Sequence, residues 1–302
     1  MNENPREKHV LTPGQLKKRR ARRNAWLRAG VQLLFFLSMP GAFVAGFSGV
    51  KNLFSWIGAG QMLRWNSFIA VLVGLCLFTV VVGRFFCGYA CAFGSLGDFV
   101  YWLSGVIQTK VFRRKKQLRL PDSLTPWGQK LKYILLAAII VLCTLGTYDK
   151  LGSWNPWSVF SFFMSGRFQM NGYWPGFVIL MLILMGMAFR ERFFCQFLCP
   201  MGALFALLPQ LPFATLQRDP EKCFKGCQAC KKQCPAGIKL EPNGFRNGEC
   251  IGCEKCAGVC PKNNLTRWDR QLLRHEAVAV VVKAILFFVM GVVLGLCRFI
   301  SL

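Results

Sequence analysis

The stretch from Cys223 to Pro261 constrains this chain most. It holds Cys223, Cys227, Cys230 and Cys234-Pro235, then Cys250, Cys253, Cys256 and Cys260-Pro261. Each run is closed by a Cys-Pro pair, which removes a backbone donor and turns the chain aside. Eight thiols at such spacing suit three chemistries: four disulfides, two structural zinc sites, or polynuclear iron–sulfur clusters. Disulfides need an oxidising compartment, and the charge pattern described below places this segment in the cytoplasm. Zinc sites usually pair two C-x₂-C elements, whereas here two four-cysteine runs each end in Cys-Pro.

The second run is the C-x₂-C-x₂-C-x₃-C-P pattern of two-cluster bacterial ferredoxins, and the first adds one residue between its first two cysteines. Three close cysteines hold three irons of one cubane, and the fourth, expected at a helix start, ligates the other. The crossed assignment is Cys223, Cys227, Cys230 and Cys260 for cluster 1, and Cys250, Cys253, Cys256 and Cys234 for cluster 2. The ferredoxin-like segment, 217–270, is too small for a self-supporting apolar core, so two [4Fe-4S] clusters are expected to hold it together.

The remaining residues read as membrane protein. Of 302 residues 54% are hydrophobic, and 38 basic against 13 acidic residues give a formal charge of +25. Long apolar runs separate the basic clusters and no nucleic-acid-reading motif accompanies them, so nucleic acid is not an expected partner and membrane lipid is. Residues 1–29 form a basic cytoplasmic segment rather than a cleaved signal peptide. Spans are expected at about 30–50 (kinked at Pro40-Gly41), 66–83, 130–146, 175–189 and, after the ferredoxin segment, 277–300. The apolar stretch ending at Gln108 is too short to span. Lys283 is expected to snorkel to the cytoplasmic surface, and Cys76, Cys143 and Cys297 are expected to be small buried side chains.

An internal repeat runs through the membrane domain, 30–216. Arg192, Cys195, Cys199 and Gly202, shifted back by 108 positions, fall on Arg84, Cys87, Cys91 and Gly94. Two spans per repeat return both Cys-x₃-Cys motifs to one side, which makes the repeat parallel. Residues 109–132 carry eight lysines or arginines and 147–174 only Lys150 and Arg167, which puts both motifs and the ferredoxin segment inside. The fold class is therefore an α-helical integral membrane protein with an internal two-span repeat plus a small two-cluster bacterial-ferredoxin-like domain, multi-pass in a bacterial cytoplasmic (inner) membrane.

Cys87, Cys91, Cys195 and Cys199 are candidate cofactor-binding residues. Four thiols converging between the halves would suit a further iron–sulfur cluster, with Arg84 and Arg192 lowering their pKa values. The competing reading is that each pair packs a helix end against the ferredoxin segment. Lys225, Lys231, Lys232, Lys239 and Lys255 crowd the cluster region and would attract an acidic ferredoxin or flavodoxin. Carboxylates able to take a proton from a quinol are few: Asp98, Glu191 and Asp149, with His9 and His275 the only histidines. Glu191 is expected in an ion pair with neighbouring Arg190 or Arg192.

Spans carrying two Cys-x₃-Cys motifs before a two-cluster segment resemble the NapH and NosR type of membrane ferredoxin, over about residues 30–270. The resemblance implies quinol oxidation and electron delivery to a partner reductase or cytochrome subunit. Three departures stand out: Ala92 follows Cys91 where the family has Pro, the first run is longer, and a span follows the ferredoxin segment. The expected function is electron transfer between a quinone or cytoplasmic donor pool and a reductase. The alternatives are a quinol dehydrogenase with its own quinone site, and an iron–sulfur redox sensor or maturation factor.

Overall fold

The computed structural model describes residues 13–62, 64–111, 113, 125–166, 172–211, 216–219, 221–223, 226–238, 248–262, 264–266 and 276–297. The chain is mostly helical. Helix α1 (Pro13–Ser38) continues the basic N-terminal segment without interruption into the apolar run. Pro40 cannot donate to a helix and holds Met39 out of the helical region. The result is a full break rather than a kink: α2 (Ala42–Gly58) leaves at 61° to the preceding helix, so residues 30–50 are divided between two helices.

Asn66 caps α3 (Ser67–Val82), its side chain accepting from the Ile69 N–H at 2.9 Å. A π-helical turn over Phe86–Ala90 follows, then α4 (Ala92–Val106) and α5 (Thr125–Thr144). Asn155 and Pro156 start α6 (Pro156–Met164), and Pro175 sits in the first turn of α7 (Trp174–Phe189). Two short helices, α8 (Phe193–Phe197) and α9 (Pro200–Leu207), carry the second Cys-x₃-Cys motif.

Among the described residues α5 alone is long and apolar enough to cross a membrane, and the bent α1–α2 pair passes if taken as one span. Helices α3, α7 and the last helix, α12 (Glu276–Val293), are apolar but shorter. All of them turn apolar side chains outward, including Leu77 on α3, Ile134 on α5, Leu182 on α7 and Ile285 on α12. Lys283 does not snorkel: it is 6% exposed and faces Glu254 at 3.6 Å, because α12 packs against the ferredoxin segment there. Cys143 and Cys297 are buried and Cys76 is partly so.

Aromatic side chains fill the interior around the two Cys-x₃-Cys motifs. Phe93 stands 4.6 Å from both Phe160 and Phe194, and Trp157 lies 5.6 Å from Phe194. On the other side Phe85, Phe86 and Phe78 pack around Phe287 of α12. The ferredoxin segment is closed by two short strands, β1 (Gln217–Arg218) and β2 (Leu265–Thr266), paired antiparallel. Between them lie α10 (Ala229–Gln233) and α11 (Lys255–Val259). Cys234 and Cys260 come just after these helices rather than at a helix start. Proline at 235 and 261 disfavours helical geometry in the residue before it.

Helices α2 and α3 touch through Gly49, where an added Cβ would press on the Phe68 carbonyl and stand 2.8 Å from Leu72 Cβ. Gly49→Ala should therefore force the pair apart and cost about 1–3 kcal/mol, read as a lowered thermal unfolding midpoint of the purified protein. An unchanged midpoint would mean that the helices are not in contact there.

Candidate functional site: two sets of cysteine thiols

All eight ferredoxin-segment cysteines are free thiols, as are the four of the Cys-x₃-Cys motifs. The Cys234 thiol is pushed up to about 11, first by burial and then by the charges of Cys253 and Cys250, against hydrogen bonds from nearby backbone N–H groups. Burial, Cys253, Cys250 and Cys234 likewise raise Cys256. The structure thus brings Cys234 of the first run to the triplet of the second. At the other end Asn264 joins Cys223 to Cys260: its backbone N–H donates to Cys260 Sγ at 3.3 Å, and its Nδ2 to Cys223 Sγ at 3.5 Å and to the Asp219 carbonyl at 2.5 Å. Cys230 feels the charge of Cys227. No three His, Cys, Asp or Glu side chains among the described residues are close enough to share one metal ion. Thiolates of a cubane bind separate irons, and cysteine runs of this spacing are the donor type that such clusters take. Bound iron would hold these thiols deprotonated despite their raised pKa values.

The second set lies between the two halves of the helical body. Cys91 and Cys199 occupy matching places: each is extended (φ −70°, ψ 117° and φ −78°, ψ 110°) and each caps a following helix. Ala92 therefore takes the first helical position that Pro200 takes in the second motif. Cys199 Sγ accepts from the Gly202 N–H at 3.2 Å. Each of the four thiols stands close enough to the other three to be affected by its charge. Burial is the main reason that Cys91, Cys195 and Cys199 have raised pKa values. Arg192 pulls Cys195 down but does not overcome burial, so the expected lowering does not occur at Cys91, Cys195 and Cys199.

Two fully buried arginines cross between the halves. Arg192, from the second, donates to the Cys87 carbonyl at 2.5 Å and the Gly88 carbonyl at 3.0 Å. Arg84, from the first, donates to Gly202 at 2.7 Å and Gly248 at 2.6 Å. Arg192 has a left-handed backbone (φ 59°), rare for a side chain of its size. It is held by Asp98, which takes its Nε at 2.8 Å and Nη2 at 2.7 Å, and which also takes Arg28 at 2.6 Å and Gln32 at 2.7 Å. Arg84 Nε has no hydrogen-bond partner among the described residues.

The ferredoxin segment sits directly on this arrangement. Gly88 lies against the loop of Ile251 to Cys253, and a Cβ there would come within 2.6 Å of the Ile251 carbonyl. Gln196, between Cys195 and Cys199, donates to the Pro235 carbonyl, and Gln129 donates to Ala236 at 3.1 Å. Lys132 and Tyr133 hold Glu249. Glu191 pairs with Lys255 across the junction, not with Arg190 or Arg192, because Arg190 is taken by Gln196 and Thr125 and Arg192 by Asp98. Lys255 is thereby tied to Glu191 and partly buried, whereas Lys231 and Lys232 are exposed. Asp149 is exposed, 3.9 Å from Lys51. Lys225, Lys239, His9 and His275 lie outside the described residues. Asn264, Glu249 and Gln196 were not singled out by sequence; only their position next to a cysteine motif marks them.

Two sets of free thiols on a mostly helical chain are in keeping with an iron–sulfur protein of the ferredoxin type. A family model described as a 4Fe-4S binding domain matches residues 65–119 and 173–213, two stretches whose starts are 108 positions apart and which contain the two Cys-x₃-Cys motifs. The chain is 28% identical over 186 residues to the uncharacterized protein MJ0749 of Methanocaldococcus jannaschii (62% of this chain, 65% of that one). It is 30% identical over 215 residues to the protein NirI of Paracoccus denitrificans (66% and 30%). It is 27% identical over 227 residues to the ferredoxin-type protein NapH of Escherichia coli (70% and 72%). The chain thus spans 65% of MJ0749 and 30% of NirI. No solved structure matches it. The chain is similar to ferredoxin-type proteins of the NapH and NosR kind.

Burial alone would raise the Asp98 pKa, but Arg192 and Arg28 outweigh it and hold the carboxyl well below the usual range. A depressed folded-state pKa contributes stability that is complete above the unfolded value of about 4 and fades as pH falls toward the folded value. Asp98→Asn should cost about 3 kcal/mol or more at neutral pH, since it leaves two buried guanidiniums uncompensated. The gap in unfolding midpoint between parent and variant should begin to narrow below about pH 4 and go on narrowing as pH falls further. A gap independent of pH would remove the charge argument.

Proposed function

We propose that the protein is a membrane-anchored electron-transfer component that carries two [4Fe-4S] clusters in the ferredoxin segment and a further iron–sulfur centre on Cys87, Cys91, Cys195 and Cys199. The cluster ligands are the crossed sets: Cys223, Cys227, Cys230 and Cys260 for one, Cys250, Cys253, Cys256 and Cys234 for the other. The two contacts of Asn264 and the grouping of Cys234 with the second triplet support this pairing. A bound cluster supplies single-electron transfer; the protein sets its potential through burial, hydrogen bonds to sulfur and nearby charge.

The observation that carries the further centre is Arg84. A guanidinium with no water access and no carboxylate hydrogen-bonded to it is costly unless an anion balances it. Four thiolates with iron would supply that negative charge, and the 4Fe-4S family model falls on these two motifs. Membrane anchoring is supported by the outward apolar faces of α3, α5, α7 and α12. With both motifs on the cytoplasmic side, electrons would pass between that boundary and a partner reductase, with a quinone pool as one candidate source. The second-run cluster rests on the helical body, and the first-run end, with Lys231 and Lys232 exposed, faces a partner.

Purified anaerobically, the protein should hold about twelve iron atoms per chain, four per cubane. Cys87→Ser with Cys195→Ser should remove about four of them and one set of signals from the reduced protein. If iron and every signal stay at the parent level, no centre exists between the halves. Cys260→Ser should disturb the Cys223, Cys227 and Cys230 cluster and spare the adjacent triplet; the reverse result refutes the crossed pairing. For orientation, alkaline phosphatase fused after Gly152 should be active in cells, and an inactive fusion with stable expression would reverse the assigned topology.

A further inference from the structure

A cavity of about 240 Å³ lies where α1, α11 and α12 meet. Arg28 lines it and is 5% exposed. Its Nη2 is fixed on Asp98 at 2.6 Å, while its Nε and Nη1 are buried with no hydrogen-bond partner among the described residues. Charged donors left without acceptors in a buried site are expensive. The cavity therefore suits a molecule that brings acceptor oxygens to Arg28.

Charge and depth select among such molecules. Arg28 and Arg192 share the single carboxylate of Asp98, which leaves one positive charge over. Lys255 is matched by Glu191 and Lys283 by Glu254, so neither adds to the surplus. A phosphate diester brings one negative charge and two free oxygens, whereas a phosphate monoester brings about −1.5 to −2 at neutral pH. Glu254 and Cys253 also border the cavity, and that carboxylate, with any cluster on the cysteine, would disfavour a second charge. Along α1, Arg22 and Arg23 are exposed at the turn that lines the cavity, Trp26 is exposed next to it, and Leu33, Leu34 and Leu37 are exposed beyond. Basic, then aromatic, then apolar is the order in which side chains run from water through lipid headgroups into hydrocarbon. Ile285 and Leu286 of α12 extend the outward apolar surface. The cavity thus stands at headgroup depth, with apolar helix surface beyond it for acyl chains.

We propose that this cavity binds the phosphate diester of a membrane glycerophospholipid, its oxygens accepting from Arg28 and its acyl chains lying along the outward faces of α1 and α12. The inference rests on the reading of the chain as membrane-anchored. A lipid held there touches α1 of the helical body and α11 of the ferredoxin segment together, and so fastens the segment to the membrane surface beside Cys253. Arg28 thereby has a binding role beyond its ion pair with Asp98.

The test uses the full chain with its clusters, purified in detergent and stripped of lipid. Binding of dihexanoyl phosphatidylglycerol, kept below its micelle concentration, is measured by calorimetry, with inorganic phosphate as the second probe. Saturation at one lipid per chain is expected. Inorganic phosphate, which lacks the apolar contact of the chains, should bind about tenfold more weakly. Arg28→Lys keeps the charge and can still meet Asp98 but lacks the planar fork, and should weaken lipid binding about tenfold. Ala25→Glu, at an exposed position on the cavity rim, should weaken it by repelling the diester, and Ala25→Lys should not. Iron content and the reduced-state spectrum are recorded for every variant, and the Ala25 pair decides the matter if Arg28→Lys loses iron. Iron-replete protein that binds no lipid, binding unchanged in iron-replete Arg28→Lys, equal binding by the two Ala25 variants, or inorganic phosphate bound as tightly as the lipid would each overturn this site while membrane anchoring stands. A chain recovered from the soluble fraction of cells would instead defeat the anchoring reading on which the site rests.

Discussion

The arrangement depends on one buried guanidinium. Arg192 has no water around it and a backbone conformation that few non-glycine residues adopt, a local cost of about 1–3 kcal/mol. It persists because Asp98 takes two of its nitrogens and two carbonyls of the other motif take the rest. Those carbonyls belong to Cys87 and Gly88, so satisfying Arg192 also fixes where the first thiol pair sits relative to the second. Gly94 has no side chain where the guanidinium passes. Removing the charge would release the register of the two motifs, not merely one contact.

The same logic explains how a segment as small as the ferredoxin unit is held. Its two strands contribute only two residue pairs, and its helices are single turns. Much of its fixation comes from polar contacts to the helical body: Arg84 to Gly248, Gln129 to Ala236, Gln196 to Pro235, Glu191 to Lys255, and Lys132 with Tyr133 to Glu249. Several of these carbonyls or carboxylates neighbour a cysteine of the ferredoxin segment. The body therefore positions the thiols of the second run and Cys234 more directly than those of Cys223 and Cys227, whose loop is more open. Under the electron-transfer reading, the first group takes electrons from the body and the second presents them to a partner.

The cysteine spacings were legible because iron–sulfur ligation demands particular residues at short intervals, and the 108-residue offset was legible because Arg, Cys and Gly recur in register. Helices α3, α5 and α7 fall close to the apolar runs at 66–83, 130–146 and 175–189. What sequence did not show was long-range partnership. Lys283 and Lys255 read as surface lysines, yet each has a carboxylate brought from a distant segment, Glu254 and Glu191. The bend at Pro40 is larger than a kink because α2 turns to pack on α3 and α5, a tertiary demand that no local pattern states. The Cys195 pKa went the other way from the arginine argument because burial, invisible in one dimension, exceeds the effect of the nearby Arg192 charge.

The two halves match in their thiols but not in their charges, and that difference accounts for what each half touches. The position 108 residues after Asp98 is Ala206. Asp98 draws in Arg28 and Gln32 of α1, so the first half is covered by that helix. At Ala206 there is only a methyl group, and Gly248 of the ferredoxin segment packs directly on its carbonyl, a place a carboxylate side chain and its partners would contest. Arg84 is consequently left without a carboxylate hydrogen bond of its own: it donates to the Gly202 and Gly248 carbonyls, and the carboxylate whose charge reaches it, Glu249, is held by Lys132 and Tyr133. The same change that lets the ferredoxin segment dock thus leaves a positive charge beside the Cys87 and Cys199 thiols. Docking of the ferredoxin segment and, under the proposed reading, charge compensation for an anionic centre are two consequences of one missing carboxylate.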